Sequence, residues 1–129
     1  MSWTQTILDS ERILLQPLQA EDFSEVYAVA SDPLVWEQHP NKNRYQPEEF
    51  NNYFEGALKS GGAYRILEKN LGLTMGCTRY YDYDESEKSV LIGYTFIGRP
   101  FWGKGYNQEL KQLMVEHAFQ FVNSIRFHI

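Results

Sequence analysis

The stretch RPFWGKGYNQEL (residues 99–110) joins an apolar, strand-like run, Ile92-Gly93-Tyr94-Thr95-Phe96-Ile97, to an amphipathic segment. Gly103 and Gly105 flank Lys104 at the corner. A glycine-rich turn that opens a helix presents backbone N–H groups to an anion, and the helix dipole adds to the attraction. Downstream, Leu110, Leu113, Met114, His117, Ala118 and Phe121 recur at helical spacing, so residues 107–122 are predicted to be a helix with one apolar face.

Two familiar phosphate motifs do not fit this turn. A Walker A loop needs Ser or Thr after its Gly-Lys, whereas Lys104 is followed by Gly105 and Tyr106. The dinucleotide fingerprint needs a glycine where Gln108 stands, and the strands before the turn look antiparallel rather than part of a βαβ unit. A diphosphate held by N–H donors remains, beside the plainer alternative that the glycines only turn the chain.

Upstream, Arg12-Ile13-Leu14-Leu15-Gln16-Pro17 reads as a short strand, and Phe23, Val26, Tyr27 and Ala30 mark a helix that Ser31-Asp32-Pro33 ends. A polar loop, His39-Pro40-Asn41-Lys42-Asn43-Arg44, leads to Pro47-Glu48-Glu49, the first turn of a second helix with Phe50, Tyr53, Phe54, Ala57 and Leu58 on its apolar face. Residues 64–68, 71–83 and 89–97, separated by turn signals, form an antiparallel meander. Residues 124–129 are a further strand. The fold class is α+β, a mixed but mostly antiparallel sheet with flanking helices, in a single domain over residues 1–129.

Composition narrows the function. A net charge of -5 with scattered basic residues argues against nucleic acid as a partner. No basic-then-apolar leader and no apolar run of about 20 residues is present, so a cytoplasmic protein without a membrane partner is expected. Cys77 is the only cysteine, which rules out an internal disulfide and a cysteine metal cluster; it is expected to be buried and inert. His39 and His128 have no partner at metal-ligand spacing, no metal site is predicted, and His117 belongs to the helical stripe.

The element order, with Glu11-Arg12-Ile13-Leu14-Leu15-Gln16-Pro17-Leu18, the run at residues 92–97 and Phe101-Trp102-Gly103-Lys104-Gly105-Tyr106-Asn107-Gln108-Glu109, resembles the GNAT superfamily of N-acetyltransferases. Within it, the pattern is similar to the branch of ribosomal-protein N-terminal (alanine) acetyltransferases. The resemblance implies acetyl-CoA as cosubstrate, an amine acceptor and a pyrophosphate grip like Gln/Arg-x-x-Gly-x-Gly/Ala. Gly105 fills the first glycine position, while Trp102 and Asn107 replace the usual ends. Backbone donation survives both changes. The implied coenzyme site is Trp102, Gly103, Lys104, Gly105, Tyr106 and Asn107, with main-chain groups near Ile97 left free for the pantetheine arm by a splayed strand.

The implied chemistry is attack of a deprotonated primary amine on the acetyl thioester, without metal. Many relatives carry a glutamate base where Leu91 stands, and leucine cannot take a proton. Asp82, Asp84, Glu87 and Glu109 are nearby in sequence, but acidic residues in a hairpin or on a helix are mostly solvated surface, so the base and acid remain unassigned. Tyr80, Tyr81, Tyr83, Tyr94 and Phe96 either line an acceptor pocket or simply pack in the sheet.

The chain ends within a strand, where the family continues through a helix and two strands. A C-terminally truncated enzyme is therefore expected, with an open sheet edge suited to homo-oligomer formation. Acetyl transfer to a protein N-terminus or a small molecule, possible only if truncation has not abolished it, stands beside a non-catalytic coenzyme A-binding or protein-interaction module.

Overall fold

The computed structural model describes residues 3–127. One six-stranded sheet, in the order β1-β2-β3-β4-β5-β6, carries helices on both faces. The strands are β1 (Leu8–Asp9), β2 (Ile13–Pro17), β3 (Ala63–Glu68), β4 (Leu73–Asp84), β5 (Ser89–Ile97) and β6 (Ser124–Phe127). The helices are α1 (Phe23–Ala30), α2 (Pro47–Ser60) and α3 (Tyr106–Ala118).

Local chemistry sets the helix ends. The Asp22 carboxylate accepts from the Gln19 N–H at 2.9 Å just before α1, and Asp32 accepts from the Leu34 N–H at 3.0 Å in the turn after it. Pro47 opens α2, with Glu48 and Glu49 in its first turn and Lys59 in its last, each charge complementing the dipole. In the β4–β5 hairpin, Asp84 Oδ1 accepts from the Ser86 and Glu87 N–H groups.

The sheet divides two cores. Ile13, Leu15, Ile66, Met75, Tyr80 and Val90 pack against Leu110, Met114 and Ala118 of α3. On the other face, Cys77 and Phe96 meet Val26 and Ala30 of α1 and Phe50, Tyr53, Phe54 and Ala57 of α2. Fully buried Trp36 joins this second core, and its indole N–H donates to the Ala30 carbonyl at 2.8 Å.

Strands β1 to β5 pair antiparallel, β3 to β5 as the meander predicts, and β6 pairs parallel to β5. The long return through α3 makes that direction possible. The glycine turn therefore does lie in a βαβ unit, contrary to the sequence expectation, although Gln108 still departs from the dinucleotide fingerprint. Strand β6 faces only Ser89, Val90, Leu91 and Ile92, so among the described residues β5 has no neighbour on that side from Gly93 onward. Its course bends there: the register with β4 shifts between Cys77 and Arg79, and Tyr94 takes φ of 53°.

Some side chains depart from the predicted pattern. Leu58 is exposed rather than part of the apolar face of α2. The last helix ends at Ala118, so Phe121 lies beyond it, exposed, with its ring stacked on Trp3. Residues 128 and 129 of the predicted last strand lie outside the described residues.

Candidate functional site

The turn after β5 is a short 3-10 helix, Arg99–Phe101, followed by Gly103 and Gly105, which adopt φ of 72° and 82°. Such angles turn the chain sharply and suit glycine. The first rung of α3 runs from the Glu109 N–H to the Gly105 carbonyl at 3.1 Å. The N–H groups of Tyr106, Asn107 and Gln108 therefore have no intrahelical acceptor. Among the described residues, no hydrogen bond runs from the N–H groups of residues 103–108.

Arg12 braces this turn from β2's leading edge. Its Nε donates to Glu109 Oε1 at 2.7 Å, its backbone N–H to Glu109 Oε2 at 2.9 Å and its Nη1 to the Lys104 carbonyl at 3.0 Å. The guanidinium lies 4.2 Å from the centre of the Tyr106 ring. Ser10 Oγ also donates to Glu109, and Tyr106 Oη donates to buried Glu68 at 2.7 Å. Glu109 is thus committed to holding the turn, and Arg99, ion-paired with Asp32, ties it to the segment after α1.

Burial pushes the Glu109 carboxyl up, but the hydrogen bonds from Ser10, the Arg12 N–H and the Arg12 guanidinium outweigh it and hold it below its ordinary value. A depressed carboxylate contributes stability above its unfolded pKa, about 4.3, and loses it as pH falls through the lower folded value. Glu109→Gln should cost about 1–2 kcal/mol at neutral pH. It should also flatten the acid fall in stability below about pH 4. Urea unfolding of both proteins across that range checks this; identical pH dependence would show that Glu109 is not a bracing carboxylate.

A cleft of about 470 Å³ starts at the turn and follows β5. Of the predicted coenzyme residues, Ile97, Trp102, Gly103, Gly105, Tyr106 and Asn107 line it, whereas Lys104 does not. Leu110, Lys111 and Met114 form the α3 wall, and Thr78, Ile92, Thr95 and Phe96 the sheet wall. The Thr78 and Thr95 hydroxyls lie 2.8 Å apart. Val35 and His39 reach the cleft from the connection between α1 and α2.

One predicted feature is altered. The Ile97 carbonyl is not free: the Trp102 indole N–H donates to it at 2.7 Å. A pantetheine amide using this carbonyl has to displace the indole. The five aromatic residues proposed for an acceptor pocket also divide. Tyr80 is buried beneath α3 and donates to the Met114 carbonyl, Tyr83 packs on Trp3, Tyr81 and Tyr94 pair edge to face, and only Phe96 reaches the cleft.

Leu91 stands opposite Tyr81 and Arg126 in the sheet and does not line the cleft. Asp84 caps its own hairpin, Asp82 and Glu87 are exposed, and no carboxylate lines the cleft among the described residues. Cys77 is fully buried with its thiol pushed up to about 11, and His117 bonds the Trp3 carbonyl at 2.8 Å, so both are structural. His39, which the sequence placed in a polar loop without metal-ligand spacing, lines the cleft. Its position in a proline-marked polar loop gave no sign that the fold would carry it to β5.

Glycine-based donors at a helix start, an apolar channel and Lys111 together fit a diphosphate with a long, uncharged arm. The comparisons agree. Residues 12–129 match the acetyltransferase (GNAT) domain profile. The chain is 26% identical over 121 residues to the uncharacterized N-acetyltransferase p20 of Bacillus licheniformis, covering 90% of this chain and 67% of that protein. A GCN5-related N-acetyltransferase from Brucella melitensis superposes with a TM-score of 0.77 at 19% identity, over 92% of this chain and 56% of that one. The spermidine N-acetyltransferase of Vibrio cholerae, solved with CoA and spermine, superposes at 0.67 with 12% identity, over 93% and 72%. The chain thus spans little more than half the length of the Brucella structure. No helix among the described residues is long and apolar enough to cross a membrane. The match over residues 12–129, with the fold it predicts, places this chain in the GNAT acetyltransferase domain family.

Proposed function

We propose that this chain binds acetyl-CoA through the main-chain donors of residues 103–107 and transfers the acetyl group to a primary amine. The observation that carries this reading is the row of unpartnered N–H groups at the head of the cleft. Lys111 adds positive charge to the lining of the cleft, and the apolar walls suit the pantetheine arm. Acetyl-CoA supplies an activated acetyl thioester; the chain's own part is to grip, orient and exclude water.

The absence of a lining carboxylate among the described residues bears on the acceptor. A polyamine finds no countercharge in the cleft, which supports a peptide α-amine or a small monoamine instead. The similarity to ribosomal-protein N-terminal acetyltransferases in residues 101–109 points the same way. A cytoplasmic setting goes with this cosubstrate.

Leu91, standing where relatives carry a glutamate base, favours a second reading as a non-catalytic coenzyme A binder. Titration calorimetry with acetyl-CoA, followed by thiol release against a panel of N-terminal peptides, monoamines and polyamines, separates the two. Micromolar-range binding with amine-dependent thiol release is expected. Binding without release supports the second reading, and no binding overturns both.

A further inference from the structure

We propose that His39, which lines the cleft and packs its ring on Trp36, is the general base of acetyl transfer and takes a proton from the acceptor ammonium. This rests on the acetyltransferase reading above. Three observations point to it. His39 is the only cleft-lining side chain among the described residues able to accept a proton near neutrality, since Tyr106 is hydrogen-bonded to Glu68 and Lys111 is a cation. Its Nδ1 is buried without a hydrogen-bond partner among the described residues, a polar atom that the fold itself leaves unsatisfied. Its backbone N–H donates to the Trp36 carbonyl at 3.0 Å and its ring sits edge-on to the Trp36 indole, which fixes its position against fully buried packing.

The surroundings keep the ring unprotonated. Burial lowers its affinity for a proton, and the positive charge of Arg44 on the same connection lowers it further. From α3 the cleft receives Lys111 and Tyr106, and from β4 and β5 it receives Thr78 and Thr95, which do not titrate. The aspartates and glutamates of the meander lie elsewhere.

The proton balance is simple. One N–H proton of the acceptor ammonium passes to His39, freeing the nitrogen lone pair. The C–N bond then forms as the thioester C–S bond breaks. The second N–H proton goes to the departing thiolate, giving a thiol, and His39 returns its proton to water.

The test uses the wild-type chain and His39→Gln. His39→Gln should bind acetyl-CoA within about twofold of wild type by calorimetry, while kcat/KM with a responsive amine falls about 100-fold or more. The acid limb of its pH profile should also disappear. Independently of turnover, the wild-type His39 imidazole, followed by NMR, should titrate below the ordinary value of about 6.5. That midpoint should move when acetyl-CoA is added. Retention of kcat/KM with the same acid limb overturns the proposal. So does a His39 that titrates as a free imidazole and ignores acetyl-CoA; this titration decides the matter if no amine is turned over or the variant does not fold. Failure of the wild-type chain to bind acetyl-CoA overturns the acetyltransferase reading and this inference together, whereas binding with an indifferent His39 overturns this inference alone.

Discussion

Gly76→Ala is expected to cost at least about 3 kcal/mol in urea unfolding and to leave much of the chain unfolded. A Cβ at this position would lie 1.9 Å from the Phe96 carbonyl oxygen and 3.2 Å from the Ile97 Cα. Both obstacles are backbone, so no side-chain rotation relieves the overlap. Strands β4 and β5 would have to part where Gly76 pairs with Ile97 and Cys77 with Phe96. The damage would reach the cleft, because Phe96 and Ile97 line it. Gly72→Ala provides the comparison: its Cβ meets nothing within 4 Å, and the cost should stay near 1 kcal/mol, from its φ of +68°. Equal stability of Gly76→Ala and wild type would mean that β4 and β5 do not approach as described.

The second large effect concerns binding. Gly105→Val should weaken acetyl-CoA binding about 30-fold or more, equivalent to about 2 kcal/mol. Gly105 has φ of +82°, a conformation a β-branched residue adopts only under strain, and Gly103, Gly105, Tyr106 and Asn107, whose N–H groups have no acceptor among the described residues, line the cleft. Relaxing that strain re-aims the donors. Gly72→Val separates strain from site: it imposes the same kind of backbone cost in an open turn that does not line the cleft, and it should leave affinity unchanged. Lys59→Ala, on exposed α2 surface, should also leave it unchanged. Equal loss in Gly105→Val and Gly72→Val would assign the effect to general destabilisation and remove the turn from the binding site.

The elements that the sequence made legible are those with local causes. The apolar spacing and Pro47 at its start marked α2, and the turn signals at residues 82–88 marked the β4–β5 hairpin. The glycine turn was legible too, because positive φ and a helix start leave a short-range signature in Gly103-Lys104-Gly105. Long-range contacts were not. Two-residue β1 exists because Leu8 pairs with Leu15, and β6 runs parallel because α3 carries the chain back across the sheet.

The site divides along the same line. Backbone donors at residues 103–107 follow from local conformation, whereas the bracing of Arg12 on Glu109 joins residues 97 apart and left no trace in either segment. The Trp102 indole on the Ile97 carbonyl lies within five residues, but only the tight 3-10 turn between them brings donor to acceptor. His39 is the strongest case. A histidine before Pro40 reads as loop until Trp36 docks on Phe96 and carries the loop to β5.

The most direct test is the amide NMR spectrum of the chain as acetyl-CoA is added. The N–H signals of residues 103–107 should shift together and saturate with the same midpoint as calorimetry. Saturable binding that leaves those signals in place while amides elsewhere respond would contradict the claim that this turn grips the diphosphate.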